Sequence, residues 1–207
     1  MVWWFKFDIV AGGSEYLAYG WHYAFKKMNS TISNQVLLLH YETMGTCIGL
    51  SKLPYIRDSR RSIGLDRFIL KIDDITRDWM SGQLTGVEFE DSVAIGSYPC
   101  DIHSLNSCSY PSYIHQSKPS LPFYIPFRAL THYAWSNLLV AGKTMAQSFL
   151  TNAATRLHPV EWSSGTAAGV SAAFMVKHKL QGTRQALQNI KALQKVVSRY
   201  TPIKWTF

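Results

Sequence analysis

The apolar positions of this chain follow two periods. Near the start, Leu17, Trp21, Ala24, Phe25 and Met28 recur at helical spacing, which predicts a helix with its aromatic residues turned to the core. The small, flexible stretch 44–50 reads as a connection. Residues 68–72 are apolar enough for a strand, and Asp73, Asp74, Ile75 and Thr76 then resemble a helix start. Residues 137–141, Asn-Leu-Leu-Val-Ala, form a short uncharged run closed by Gly142. That is the pattern of a buried, parallel strand ending in a tight turn. Further on, His158, Pro159, Val160 and Glu161 open a segment dense in small residues that runs through Gly165 to Ala173. Pro and an acidic residue both suit the first turn of a helix, whose amides have no intrahelical acceptor. Gly and Ala repeated along such a helix let a sheet, another helix or a flat ligand approach its backbone closely. The tail 177–199 reads as a helix pair interrupted near Gly182. Its apolar stripe of Val176, Leu180, Leu187, Ile190, Leu193, Val196 and Val197 is expected to pack on its own domain, the alternative being a helix for a partner or a membrane surface.

Composition narrows the class. The chain has 207 residues and is 47% apolar, sufficient for a sizeable core. Three Cys make no disulfide framework and suit reduced thiols in an intracellular setting. The first residues carry no secretory leader pattern, and no apolar run is long enough to span a bilayer. An intracellular, soluble protein is expected. The net charge of +8 favours anionic partners in general, but the basic residues are scattered in short pairs, so nucleic acid is not the expected partner.

Several sets of residues could carry chemistry. Arg57, Arg60 and Arg61 crowd together beside apolar residues, which is unfavourable unless they meet acids or an anionic ligand. Asp58 and Asp66 are the acids at hand for a purely structural network. His103 follows Asp101 closely, and an imidazole, whose unperturbed pKa sits near neutrality, suits a general base or the stabilisation of a neighbouring anion. A ring merely bonded to Asp101 or to backbone is the plain alternative. Cys100, His103, Cys108 and His115 are of zinc-ligand type, but the set lacks a paired-Cys half and matches no zinc module, so no metal is expected. Gly142-Lys143-Thr144 ends like a P-loop, yet Asn137 stands where its first Gly belongs. Gly12-Gly13 lacks the third Gly of a dinucleotide fingerprint.

The stretch 123–173 resembles the C-terminal cofactor segment of FAD-dependent oxidoreductases of the glutathione reductase type. Ile125, Pro126, Phe127, Arg128, Ala129 and Leu130, the run Asn137 to Gly142, and the Gly-Ala-rich helix after Glu161 carry the likeness. Ser92, Ala94, Gly96, Tyr98, Pro99, Asp101 and His103 extend it, as do Arg57 to Gly64 and the closing Trp205-Thr206-Phe207. The resemblance implies an α/β protein with a partial FAD/NAD(P)-binding fold, a substrate-side β-rich part (1–122) and a cofactor part with C-terminal helices (123–207). It implies hydride transfer from a small-molecule substrate to FAD, with His103, Arg60 and Arg61 facing the substrate. Asn137, Gly142, Lys143, His158, Pro159, Val160, Glu161 and Gly165 would face the cofactor, the helix start turning its amides and positive potential to the pyrimidine edge of the flavin. The wider class places Asp after the strand-end Gly, where this chain has Lys143, so that ribitol contact does not carry over. Without the dinucleotide fingerprint, the chain looks like the C-terminal half of such an enzyme and calls for an N-terminal complementing chain. The alternative is a non-catalytic fragment or interaction module that keeps the helical half of the fold.

Overall fold

A computed structural model describes residues 60–76, 82–102 and 117–207, with side chains from 119 onward in the last stretch, and residues 16, 17, 19, 20, 23, 24, 27 and 28. The chain divides into two compact units, Met1–Ile56 and Arg57–Phe207. In the first, all eight described residues are helical, as the spacing predicts. Their burial differs from the expectation: Leu17 is 72% exposed, and Ala24 and Met28 are exposed too. Helical spacing specifies a face but not what covers it. Trp21, Phe25 and the 44–50 connection lie outside the described residues. The Lys27 ammonium sits 4.9 Å from the Tyr23 ring centre, a cation–π pair one helical turn apart.

The second unit is built on an antiparallel pair, β1 (Ser92–Gly96) with β4 (Phe123–Pro126). The register sets Ala94 against Ile125, Ile95 against Tyr124 and Gly96 against Phe123, with an irregularity between Ser92 and Ala94. Val93, Ala94, Phe123 and Ile125 are fully buried, so the pair reads as a continuous apolar run rather than an alternation. A second pair, β2 (Cys100–Asp101) with β3 (Ser117–Lys118), is only two residues long. The short α1 (Asp73–Thr76) begins where the paired Asp residues predict, and the Asp74 carboxylate accepts from the Lys71 amide. α2 (Phe149–Thr155) starts at Ser148, whose hydroxyl accepts the Thr151 amide as an N-cap.

α3 (His158–Lys177) packs on β1 and begins with Pro159 in its first turn, Glu161 beside the positive end and Lys177 in its last turn. It ends in a Schellman arrangement. Leu180 N–H reaches the Met175 carbonyl and Lys179 N–H the Val176 carbonyl, with Lys179 at φ 54°. Gly182, where a Cβ would run into the Ser136 backbone, precedes α4 (Thr183–Gln188) and so interrupts the helical tail as expected, while a second break at Asn189 separates α4 from α5 (Ile190–Val197). Leu193 and Val197 are buried, and Leu180, Leu187, Ile190 and Val196 pack against them, whereas Val176 points outward. Among the described residues no helix is long and apolar enough to cross a membrane.

The mixed α and β content matches the expected class, but two strands do not form. Residues 137–141 are not a buried parallel strand: Leu138 is 41% exposed, and Leu139 makes a single antiparallel bridge to Thr131. The segment doubles back along the turn Phe127–Leu130, with Val140 N–H on the Leu130 carbonyl, so only one side of it meets the core. Residues 68–72 contribute one parallel bridge, Leu70 to Gln147, in place of a strand. A five-residue apolar run reports burial on at least one side; periodicity alone does not supply a neighbouring strand.

Arg128 fastens the turn after β4 to the residue before β1. Its guanidinium is bidentate on the Asp91 carboxylate at 3.0 and 3.1 Å, its amide reaches the same carboxylate, and it lies over the Phe68 ring at 4.8 Å. This hydrogen bond to Asp91 holds the guanidinium pKa above its ordinary value. Asp91→Ala is expected to lower unfolding free energy by about 2–3 kcal/mol, less than for a fully buried pair because Arg128 keeps some solvent. Urea titration of the variant checks this, and an effect as small as that of a surface ion pair would contradict it.

Candidate functional site

The turn Gly142–Thr144 and the first turn of α3 are locked together. Gly142, at φ 61° and buried, uses the left-handed region that glycine adopts without penalty. Its N–H donates to Ser164 Oγ at 3.1 Å, and that hydroxyl donates to the Glu161 carbonyl at 3.2 Å. Lys143 Nζ stands 3.8 Å from Glu161 Oε1. A Cβ on Gly142 would come within 3.3 Å of the Glu161 side chain, so the glycine also makes room for this approach. Beneath the turn, Gln147 donates to the Gly142 carbonyl and to Asn152 Oδ1, and accepts from the Thr155 hydroxyl. Gln147, Asn152 and Thr155 are all buried, a polar network that ties the turn to α2.

At the other side of the α3 start, Val160 is buried against Gly96 while His158 and Pro159 are exposed. A groove of about 390 Å³ opens there, lined by Ile95, Gly96, Pro159, Trp162, Thr201 and Trp205 among others. Its walls are mainly apolar, and the Trp205 indole is fixed by donation to the Phe123 carbonyl at 3.1 Å. Ser163 closes the floor by accepting the Ile95 amide. The helix start thus lies between a polar turn carrying a lysine and an apolar, Trp-walled groove. An anion with a flat ring attached is what such a pairing can accommodate.

The other residues expected in the site are placed differently. Gly165 has open space around it, on the outward face of α3. Asn137 lines a separate groove of about 540 Å³ against Ala172, Met175 and Leu180. That groove is roughly 20 Å along the helix from Glu161 at the usual rise per residue. Arg61 Nε donates to the Gln147 carbonyl at 3.1 Å, which brings Arg61 next to the Gly142 network, while Arg60 is exposed. His103, Arg57 and Asp58 lie outside the described residues. Asp66 pairs with Arg184 at 2.7 Å, which takes it out of the structural network considered for the arginines of 57–61. The hydrogen bond from Arg184 holds the Asp66 carboxyl below its ordinary pKa. Stability from this pair is therefore present above the ordinary carboxylate range and fades as pH falls through the lowered value; exposure on both sides keeps it small.

Sequence reasoning overlooked Gln147, Ser164 and Arg156. Ser164 had a signal, since it stands three residues after Glu161 in the first turns of a helix; Gln147 and Arg156 act across long sequence separations. Among the described residues no group of three His, Cys, Asp or Glu side chains is placed to hold a metal; Cys100 is buried, and Cys108 and His115 lie outside the described residues.

A family model described as FAD dependent oxidoreductase matches residues 14–197. No curated protein and no solved structure matches the chain.

Proposed function

The chain belongs to the FAD dependent oxidoreductase family, and from that premise we propose that it forms the flavin-facing wall of a hydride-transfer site. FAD is the cofactor the family indicates. The donor set fits that group. The start of α3 offers amides and positive potential, and Lys143 neutralises Glu161, which would otherwise repel an anion. The apolar groove beside it suits a ring system. Gly142, Lys143, His158, Pro159, Val160 and Glu161 would hold the cofactor, and Asn137 and Gly165, which lie away from this helix start, are left out of the proposed set. The single observation that carries the reading is the Gly142 turn locked onto the first turn of α3.

Bound FAD supplies the hydride acceptor. His103 takes the substrate proton at an imidazole nitrogen, and Arg60 and Arg61 bind an anionic part of a small-molecule substrate. Ser164 and Gln147 keep the turn rigid, so the cofactor meets donors already in place. In this division of labour residues 1–122 serve the substrate side and 123–207 the cofactor side. An N-terminal complementing chain would bring the dinucleotide clamp. A non-catalytic interaction module is the second reading, favoured by the exposed α3 face with Trp162 and Val176.

FAD titration of the purified chain, alone and with an N-terminal dinucleotide-binding chain from the same family, separates the readings. Flavin uptake in either mixture is expected. Lys143→Glu should weaken it at least tenfold, about 1.4 kcal/mol, by placing two carboxylates at the helix start. Absence of uptake in both mixtures would leave the interaction module standing.

A further inference from the structure

The buried guanidinium of Arg156 has no part in the chemistry above, and its position is unusual. Its side chain is only 5% exposed, a setting in which a cation must be well paired. The NH2 nitrogen donates to the Asp101 carbonyl at 3.1 Å and to Asp101 Oδ2 at 3.3 Å. The backbone N–H of Arg156 closes α2 on the Asn152 carbonyl, and the next residue, Leu157, is the N-cap of α3. One residue therefore ends one helix, leads into the next, and grips the end of β2. That strand needs a grip, because β2 and β3 pair over two residues only and so short a ladder is weak by itself.

We propose that Arg156 is a positioning residue that fixes the first turn of α3 relative to the end of β2. The NH2 nitrogen reaches both the backbone and the side chain of Asp101, which ties the buried charge to the end of β2. An apolar side chain of similar volume would fill the space and often stabilise it, but would not set a register between two elements. Lysine, a strongly hydrated point charge on a flexible stem, holds such a position less rigidly than the planar guanidinium. The importance of the register rests on the flavin reading: the first turn of α3 is the cofactor wall, and His103 stands two residues after Asp101 in the sequence. Small displacements between cofactor-side and substrate-side groups lower turnover steeply. Arg156 thereby acts on the reaction without touching it.

Amide hydrogen exchange tests the coupling without any ligand, on the full chain and on Arg156→Lys, Arg156→Met and Asp101→Asn. In Arg156→Met and Asp101→Asn, exchange in segments 100–102 and 157–161 is expected to accelerate together at least tenfold, with 183–197 unchanged. Arg156→Lys should lie between these and the native chain. Acceleration confined to 157–161, or spread equally over all segments, overturns the proposal. Asp101→Asn keeps the side-chain volume and removes only the charge, so it remains informative if Arg156→Met does not fold. FAD affinity and flavin midpoint potential, measured on the same proteins in the mixture that takes up FAD, give the second readout. Both should shift in Arg156→Met and be partly restored in Arg156→Lys. Two segments that loosen together while flavin affinity and potential stay put would sink the flavin reading and leave the coupling intact. Flavin binding by the native chain with no coupled loosening in the variants would do the reverse.

Discussion

Phe127→Ala is expected to lower unfolding free energy by about 3–5 kcal/mol, the range for deleting a buried aromatic ring. Phe127 is fully buried and follows directly on β4, with its amide bound to the Asp91 carbonyl at 2.7 Å. The ring belongs to the same apolar cluster as Leu70, Ile125, Leu130 and Met145. Its neighbours are held by the sheet on one side and by the Arg128–Asp91 clasp on the other, so the cavity can collapse only in part. The loss should appear as a lower urea midpoint with an unchanged slope. A midpoint shift equivalent to less than about 1.5 kcal/mol would mean that the site relaxes far more than this packing allows.

Gly96→Ala carries the second large effect and links packing to the site. A Cβ at Gly96 would stand 2.9 Å from Val160 Cγ2 and still closer to the edge of the Phe123 ring. Phe123 and Val160 are both buried, so neither has space to withdraw into. Overpacking of this kind destabilises by about 1–3 kcal/mol, and the upper part of that range is expected here. The strain also has a direction: relief comes most readily by lifting the first turn of α3 from β1. Flavin uptake should therefore fall by more than the loss of folded protein accounts for. Measuring FAD affinity at a temperature where the variant is fully folded checks this. Uptake equal to that of the native chain would show that the helix start is insensitive to its distance from β1.

Within the segment that carries the family resemblance, the start of α3 was legible from sequence and the 137–141 run was not. Pro159 and Glu161 mark a helix start through local preferences of its first turn, which the linear order contains. The small residues of α3 were correctly read as permitting close approach, but the faces were not. Ser164, Ala167 and Ser171 meet the core, while Gly165 and Gly169 have open space. Gly and Ala contribute little to a hydrophobic pattern, so the buried side of such a helix has no strong signature.

By itself the sequence determined the start and end of α3, the glycine at the Gly142 turn and the family. Only the tertiary structure decided that residues 137–141 run alongside the Phe127–Leu130 turn instead of forming a strand, and that Asn137 lines a groove away from the start of α3. It also chose the partners of the charged residues: Asp91 for Arg128, Arg184 for Asp66, and Asp101 for Arg156. Local signals arise from hydrogen bonds within a turn or two of the chain. Ion pairs and strand neighbours depend on which distant segments the core brings together, and that choice belongs to the packing of the whole unit.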